Sequence, residues 1–209
     1  MSGPQEAAQR SSDQRSSLPG RPPDELSAGA VTLVRYRGHE APELARVTSA
    51  DLDHLRPWMP WAASTSLEED QALFISTSVA EFDAGRAFNY WMREEATAEL
   101  VGGAGLHHRV GERIEIGYWV RSDRTRRGYA TSAAAALTDA ALVLPGVRRV
   151  EIHCDEANRA SAAVPRKLGY RLDRISDDDI TALGQTGRSM VWIVDAGTWS
   201  LPRWLTGTS

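Results

Sequence analysis

Ile114 to Ser122 (IEIGYWVRS) runs directly into Asp123 to Thr131 (DRTRRGYAT), and from there into an alanine-rich stretch that ends at Leu144. The first segment places Ile114, Ile116, Tyr118 and Val120 at a spacing of two, the period of a strand. Tyr129 to Leu144 is rich in helix formers, including the run Ala133 to Ala136, and Pro145-Gly146 stops it. The turn between them carries Arg124, Arg126, Arg127 and then Gly128. A helix start presents unpaired backbone N–H groups and about half a unit of positive charge, which suits a phosphate. The arginines add charge, and the glycine lets the backbone approach a ligand closely. Charge alone would describe an ordinary solvated basic turn. Strand, arginines, glycine and helix start together predict an anionic, phosphate-bearing ligand at this point.

Working outward, Val147 to Cys154 alternates as a strand. A shorter helix is expected near Ser161 to Leu168, ended by Gly169, and two more strands near Tyr170 to Ile175 and Ser189 to Val194. Upstream, Phe88 to Arg93, Glu99 to His107 and Arg113 to Arg121 read as three successive strands. Ser66-Leu-Glu-Glu69 is a capping box opening a helix to about Phe82. Glu40 to Leu55 reads as a helix broken in its middle, and Val31 to Tyr36 as a strand. This order predicts an α/β fold with a mixed sheet and helices on both faces. Residues 1–29 are rich in Ser, Pro, Gly and charge, with little to bury, and are expected to be a disordered tail. The folded unit is then 30–209, one domain without internal repeats.

Composition excludes several classes. A net charge of -4 over 209 residues argues against general nucleic-acid binding, which leaves a basic footprint. No apolar run is long enough to cross a bilayer, and Met1 to Arg15 lacks the apolar stretch of a secretory signal. The single cysteine, Cys154, allows no internal disulfide and fits a reducing compartment. The expectation is a cytoplasmic protein that binds neither nucleic acid nor membrane, present as a monomer or homodimer.

Four pieces in order, Glu115-Ile-Gly-Tyr-Trp119, Arg127-Gly-Tyr-Ala-Thr131, Asn158-Arg-Ala-Ser161 and Lys167-Leu-Gly-Tyr170, resemble the acetyl-CoA-binding core of the GNAT superfamily. They are most similar to the branch that contains the ribosomal-protein N-terminal alanine and serine acetyltransferases. Leu55-Arg-Pro-Trp-Met-Pro-Trp61 resembles that branch too, so the similarity extends over most of residues 31–195. Two positions depart from the pattern: Arg126 stands where the pyrophosphate turn usually has its first glycine, and Pro165 replaces a helix-compatible residue.

The resemblance implies a GNAT fold whose mostly antiparallel sheet contains one splayed pair of parallel strands. The pantetheine arm of acetyl-CoA would lie between the strand ending at Trp119-Val120-Arg121 and the strand ending at Cys154, on main-chain groups left unpaired there. Cofactor contacts are then expected from Trp119, Val120, Arg121, Arg126, Arg127, Gly128, Tyr129, Ala130, Thr131, Asn158 and Ser161. Glu115 matches the general-base position of several members, against the plainer alternative of a sheet carboxylate paired with Arg113 or another arginine. Ser161 matches the position proposed to protonate the departing thiolate, against helix N-capping. The oxyanion would be held by a backbone N–H near Trp119 or Val120. Trp58 and Trp61, with Tyr118, are expected on the substrate side, or the tryptophans plug the end of the core.

Other patterns carry less. Val101-Gly-Gly-Ala-Gly105 lacks the third glycine of a dinucleotide loop and reads as a strand with a bulge or close packing. His107, His108 and His153-Cys154-Asp155 lack zinc spacing, and neighbours on a strand point to opposite faces, so no metal is expected. The acceptor is expected to be an amine, either the α-amine of a protein N-terminus or a small molecule. A non-catalytic acyl-CoA-binding module and a ligand- or partner-binding domain unrelated to CoA are the alternatives.

Overall fold

The computed structural model describes residues 20–64 and 67–203. Within them one sheet is built from β1 (Glu25–Ala28), β2 (Val31–Arg35), β3 (Phe88–Glu94), β4 (Leu100–Val110), β5 (Arg113–Val120), β6 (Arg149–Asp155), β7 (Arg171–Asp177) and β8 (Arg188–Asp195). The helices are α1 (Ala41–Ala50), α2 (Leu52–Leu55), α3 (Glu68–Asp83), α4 (Tyr129–Leu142) and α5 (Arg159–Lys167). The strands lie in the order β1-β2-β3-β4-β5-β6-β8-β7, and every adjacent pair is antiparallel except β5 and β6.

The alternation of β3 explains why both faces need cover. Tyr90 and Met92 enter the larger core with α4, while Trp91 packs with Leu44, Val47 and Ile75 of α1 and α3. Helix α4 is buried on most of its surface, from Tyr129 to Ala141. Its small side chains let it lie against β1, β2, β4, β5 and β6 on one side and α5 on another.

The parallel pair holds together over only three positions: Arg113 with Arg149, Ile114 with Val150, and Glu115 with Glu151. Beyond them β5 stays paired to β4 as far as Val120, and β6 to β8 as far as Asp155. Each strand follows its outer neighbour, so the two diverge into a fork. The splay implied by the resemblance is present.

Two expectations need correction. The folded unit begins earlier than residue 30, because Glu25–Ala28 pairs with Val31–Val34 across the short turn at Gly29-Ala30. Ala28 is buried, Leu26 packs on the core, and Tyr90 donates a hydrogen bond to the Pro23 carbonyl at 2.8 Å. These contacts offset the cost of ordering a segment whose composition suggested a tail. Residues 1–19 of that tail and Ser66 of the capping box lie outside the described residues. The shorter helix also starts two residues earlier than expected, at Arg159, because Asn158 and not Ser161 caps it: its Oδ1 accepts from the Ser161 N–H at 3.0 Å.

Candidate active site

At the mouth of the fork is a cavity of about 880 Å³. Ile116 to Trp119 of β5 and His153 to Asp155 of β6 contribute from the two prongs, and Asn158 and Ser161 from the start of α5. The opposite wall comes from Trp58 to Trp61, from Asp70, Gln71 and Phe74 of α3, and from His107 and His108 of β4. No lysine or arginine is among the described lining residues.

The Arg121 N–H bonds to the Val101 carbonyl at 2.9 Å. Because strand N–H groups alternate in direction, Trp119 also turns its amide toward β4, while Tyr118 and Val120 turn theirs into the fork. The unpaired main chain in the gap therefore belongs to Tyr118 and Val120 and not to Trp119. Arg121 is committed to the protein: its guanidinium bonds the Leu100 carbonyl at 2.9 Å and Asp123 at 2.9 and 3.1 Å. Its guanidinium is directed to the Leu100 carbonyl and Asp123 rather than into the fork.

Past β5 the chain turns at Arg126, φ 61°, and Gly128, φ 84°, before α4 begins. Gly128 is the N-cap residue and no side chain caps the helix, so the first-turn N–H groups of Tyr129, Ala130 and Thr131 remain open to a ligand. Arg126 adopts the left-handed backbone that a glycine would adopt without cost, so the departure at this position leaves the turn's shape intact. The charge is less concentrated than the sequence suggests. Arg124 is drawn to Glu99 at 2.5 Å and to Asp123, and Arg127 lies 3.6 Å from Glu94. Arg126 is exposed and has no carboxylate partner among the described residues.

Pro165, seven residues into α5, has no N–H to give the Ser161 carbonyl. Tyr118 uses that freed acceptor: its hydroxyl donates to the Ser161 carbonyl at 3.0 Å and lies 3.2 Å from the Ser161 Oγ. Burial pushes the Tyr118 phenol well above its ordinary value, so it stays protonated. Tyr118, expected among the substrate contacts, lies in the same cavity but is held on the α5 side with Ser161. Burial also raises the Cys154 thiol, which keeps it neutral and a poor nucleophile.

Trp58 and Trp61 both line the cavity, Trp61 with its ring 6.0 Å from that of Trp119, and neither belongs to the core. The glycines of Val101–Gly105 serve close packing, as a Cβ on Gly103 would sit 2.6 Å from the Trp119 indole nitrogen. The strand-face argument about the histidines fails. The pairing of β4 with β5 is irregular between His107 and Val110, and His108 has φ 50°. That bulge turns both imidazoles to one side, their rings 4.9 Å apart. Nitrogen and oxygen atoms of His107, His108 and Glu115 come within 4.8 Å of one another. Glu115 Oε2 lies 3.2 Å from His108 Nδ1 and 3.7 Å from His153 Nδ1, and His153 Nε2 is 2.8 Å from Glu151. Glu115 thus bonds to histidine rather than to Arg113, and its side chain stands behind the cavity wall.

Comparison with known proteins fits this arrangement. Residues 30–171 match the family described as acetyltransferase (GNAT) domain. A Bacillus subtilis (strain 168) protein described as uncharacterized N-acetyltransferase YjdG is 32% identical over 94 residues; the match covers 44% of this chain and spans only 56% of that relative. Mycobacterium smegmatis RimJ in complex with CoA-disulfide superposes with a TM-score of 0.75 at 26% identity, covering 90% of this chain and 92% of the other. RimL, a ribosomal L7/L12 alpha-N-protein acetyltransferase in complex with coenzyme A, shares the fold with a TM-score of 0.75 at 17% identity, covering 82% and 97%. With a forked parallel pair, an uncapped helix behind a left-handed glycine and a family match over most of the folded region, the chain belongs to the GNAT acetyltransferase family.

Proposed function

We propose that the protein is a cytoplasmic N-acetyltransferase that moves the acetyl group of acetyl-CoA to a primary amine, on a protein N-terminus or a small molecule, by direct attack within a ternary complex. The observation that carries this reading is the fork itself: three paired positions, then two strand edges opening onto a cavity between an uncapped helix start and an aromatic wall. The residues fit the donor. The open N–H groups of Tyr129, Ala130 and Thr131, with Gly128, Arg126 and Arg127, suit a diphosphate. The main chain of Tyr118 and Val120 and the Asn158 amide suit the amide-bearing arm.

Acetyl-CoA supplies an acetyl carbon activated as a thioester. The chain supplies a hydrogen-bond donor for the carbonyl at Val120, a protonated hydroxyl pair at Tyr118 and Ser161 for the sulfur, and proton acceptors around Glu115. The amine assignment is supported by the opposite wall. Aromatic faces at Trp58, Trp61 and Phe74, with Asp70 and Asp155 and no described lysine or arginine, favour a cationic group over an anionic one. The helices of the described residues include none long and apolar enough to cross a membrane.

Acetyl-CoA at 100 times its dissociation constant should raise the melting temperature by about 5–10 °C, from roughly 2.7 kcal/mol of linkage in a chain this size. A flat melting temperature would favour a domain unrelated to CoA. A rise without CoA release from any amine would leave the non-catalytic module. Glu115→Gln should lower turnover about tenfold or more while acetyl-CoA affinity stays within about threefold. Turnover unchanged from about pH 6 to 9 would remove Glu115 from the mechanism.

A further inference from the structure

The geometry points to His107 as the group that takes the proton from the attacking amine, with Glu115 acting behind it as a positioning residue. This rests on the transferase reading above and assigns a role that the sequence pattern placed on Glu115 alone. His107 and Glu115 are directly opposite on β4 and β5, so their side chains share a face of the sheet. His107 lines the cavity, whereas the Glu115 carboxylate faces His108 and His153.

The ring of His107 lies across Gly117. A Cβ at that position would fall 2.6 Å from its Cε1 and 2.8 Å from its Nε2, so the absence of a side chain there gives the imidazole its seat. Gly117 is two residues past the last parallel pair, where the prongs of the fork begin to part. Among the described residues, neither His107 nitrogen is held by another protein group. His153 also lines the cavity, but carboxylates stand at both of its nitrogens: Glu115 at 3.7 Å and Glu151 at 2.8 Å. His108 also lines the cavity, but its Nδ1 is spent on Glu115 and its side chain is 75% exposed, so His107 is the desolvated histidine of the cluster with both ring nitrogens unengaged among the described residues.

Electrostatics agrees with the geometry. Three ionisable groups face the imidazole: Glu115 from β5, His108 from β4 and His153 from β6. Desolvation lowers the His107 pKa from its ordinary value and the two histidines add to the effect, while Glu115 opposes it. The ring is therefore neutral at physiological pH and able to accept a proton. In the transfer, the amine nitrogen bonds to the acetyl carbon and the carbon–sulfur bond breaks with its electron pair on sulfur. One amine proton moves to His107. Sulfur is protonated from the Tyr118–Ser161 hydroxyl pair, which recovers its proton from water. His107 releases its proton past His108, whose side chain is 75% exposed.

The test compares wild type, His107→Gln and Glu115→Gln, with CoA release followed across pH on alanine- and serine-initiated peptides and phenethylamine. His107→Gln should lower kcat by roughly 100- to 1000-fold and remove the acidic limb of the profile, with acetyl-CoA affinity within about threefold. Glu115→Gln should keep that limb and move it to lower pH, because the charge that raises the affinity of His107 for a proton is gone. Imidazole added to His107→Gly should restore part of the rate. A His107→Gln enzyme within threefold of wild type, or one that keeps its acidic limb, overturns the assignment. A wild type that binds acetyl-CoA and acetylates no amine sinks the transferase reading itself. Should the variants fail to fold, nitrogen-15 NMR of wild-type histidines decides. The His107 titration must lie below 6.5 and coincide with the acidic limb, and a mismatch of more than about one pH unit overturns the assignment.

Discussion

Gly102→Ala is expected to lower the melting temperature by about 6–12 °C and to abolish measurable acetyl-CoA binding, near the limit of what adding one methyl group does to a chain of this size. A Cβ on Gly102 would lie 2.2 Å from the Trp119 carbonyl oxygen and 3.1 Å from the Val120 Cα. Both are backbone atoms of β5, so no rotamer change relieves the overlap. The strands must separate, at a cost of about 3 kcal/mol, the upper part of the range for overpacking. The displaced segment is the prong whose Val120 main chain faces the fork, so binding should fail along with stability. Gly197→Ala is the matched control. Nothing lies within 4 Å of a Cβ there, and the change should stay within about 0.5 kcal/mol. Thermal denaturation and calorimetric titration with acetyl-CoA read both effects, and a Gly102→Ala protein that melts with wild type would show that β4 and β5 are not held as described.

Gly128→Val should act for the opposite reason and weaken acetyl-CoA binding by roughly 10- to 100-fold, at 1.4 kcal/mol per factor of ten. A Cβ on Gly128 meets nothing within 4 Å, so there is no clash. The difficulty is φ 84°, a conformation that costs a β-branched residue about 1–3 kcal/mol. The turn can absorb that strain by rotating its peptide planes, which swings the N–H groups at the start of α4 away from a diphosphate. Gly128→Asn should lose less, because asparagine tolerates the left-handed region. Calorimetry gives the dissociation constants, and circular dichroism confirms that α4 persists. Binding within twofold of wild type for the valine variant would mean that the phosphates rest elsewhere.

The period-two and helical patterns from Phe88 onward specified most of the sheet and α4, because each such segment buries one face over many residues. What escaped was short or local. Glu25–Ala28 is four residues in a polar context, and only its pairing with β2 makes it a strand. Asn158 and Ser161 lie three apart, and either suits a helix start by type; the choice depended on where the first turn closed. The position of Arg126 outside the glycine pattern left its φ unreadable. His107 and His108 were set aside on strand alternation, which a bulge overrides. Residue types at 107 and 108 do not mark that bulge, because the φ of 50° at His108 belongs to the folded strand. The pairing of Tyr118 with the carbonyl freed by Pro165 joins residues 43 positions apart along the chain, beyond the reach of any local pattern.

The fork behaves as a pair of tongs riveted at one end. Each strand residue advances about 3.3 Å, so Gly117 stands roughly 7 Å from the rivet at Glu115 and Val120 roughly 17 Å. An opening of one ångström at the tips moves Gly117, and the ring resting on it, by less than half of that. Flexing of the tips is therefore damped toward the hinge, where His107, Gly117 and Glu115 keep their spacing.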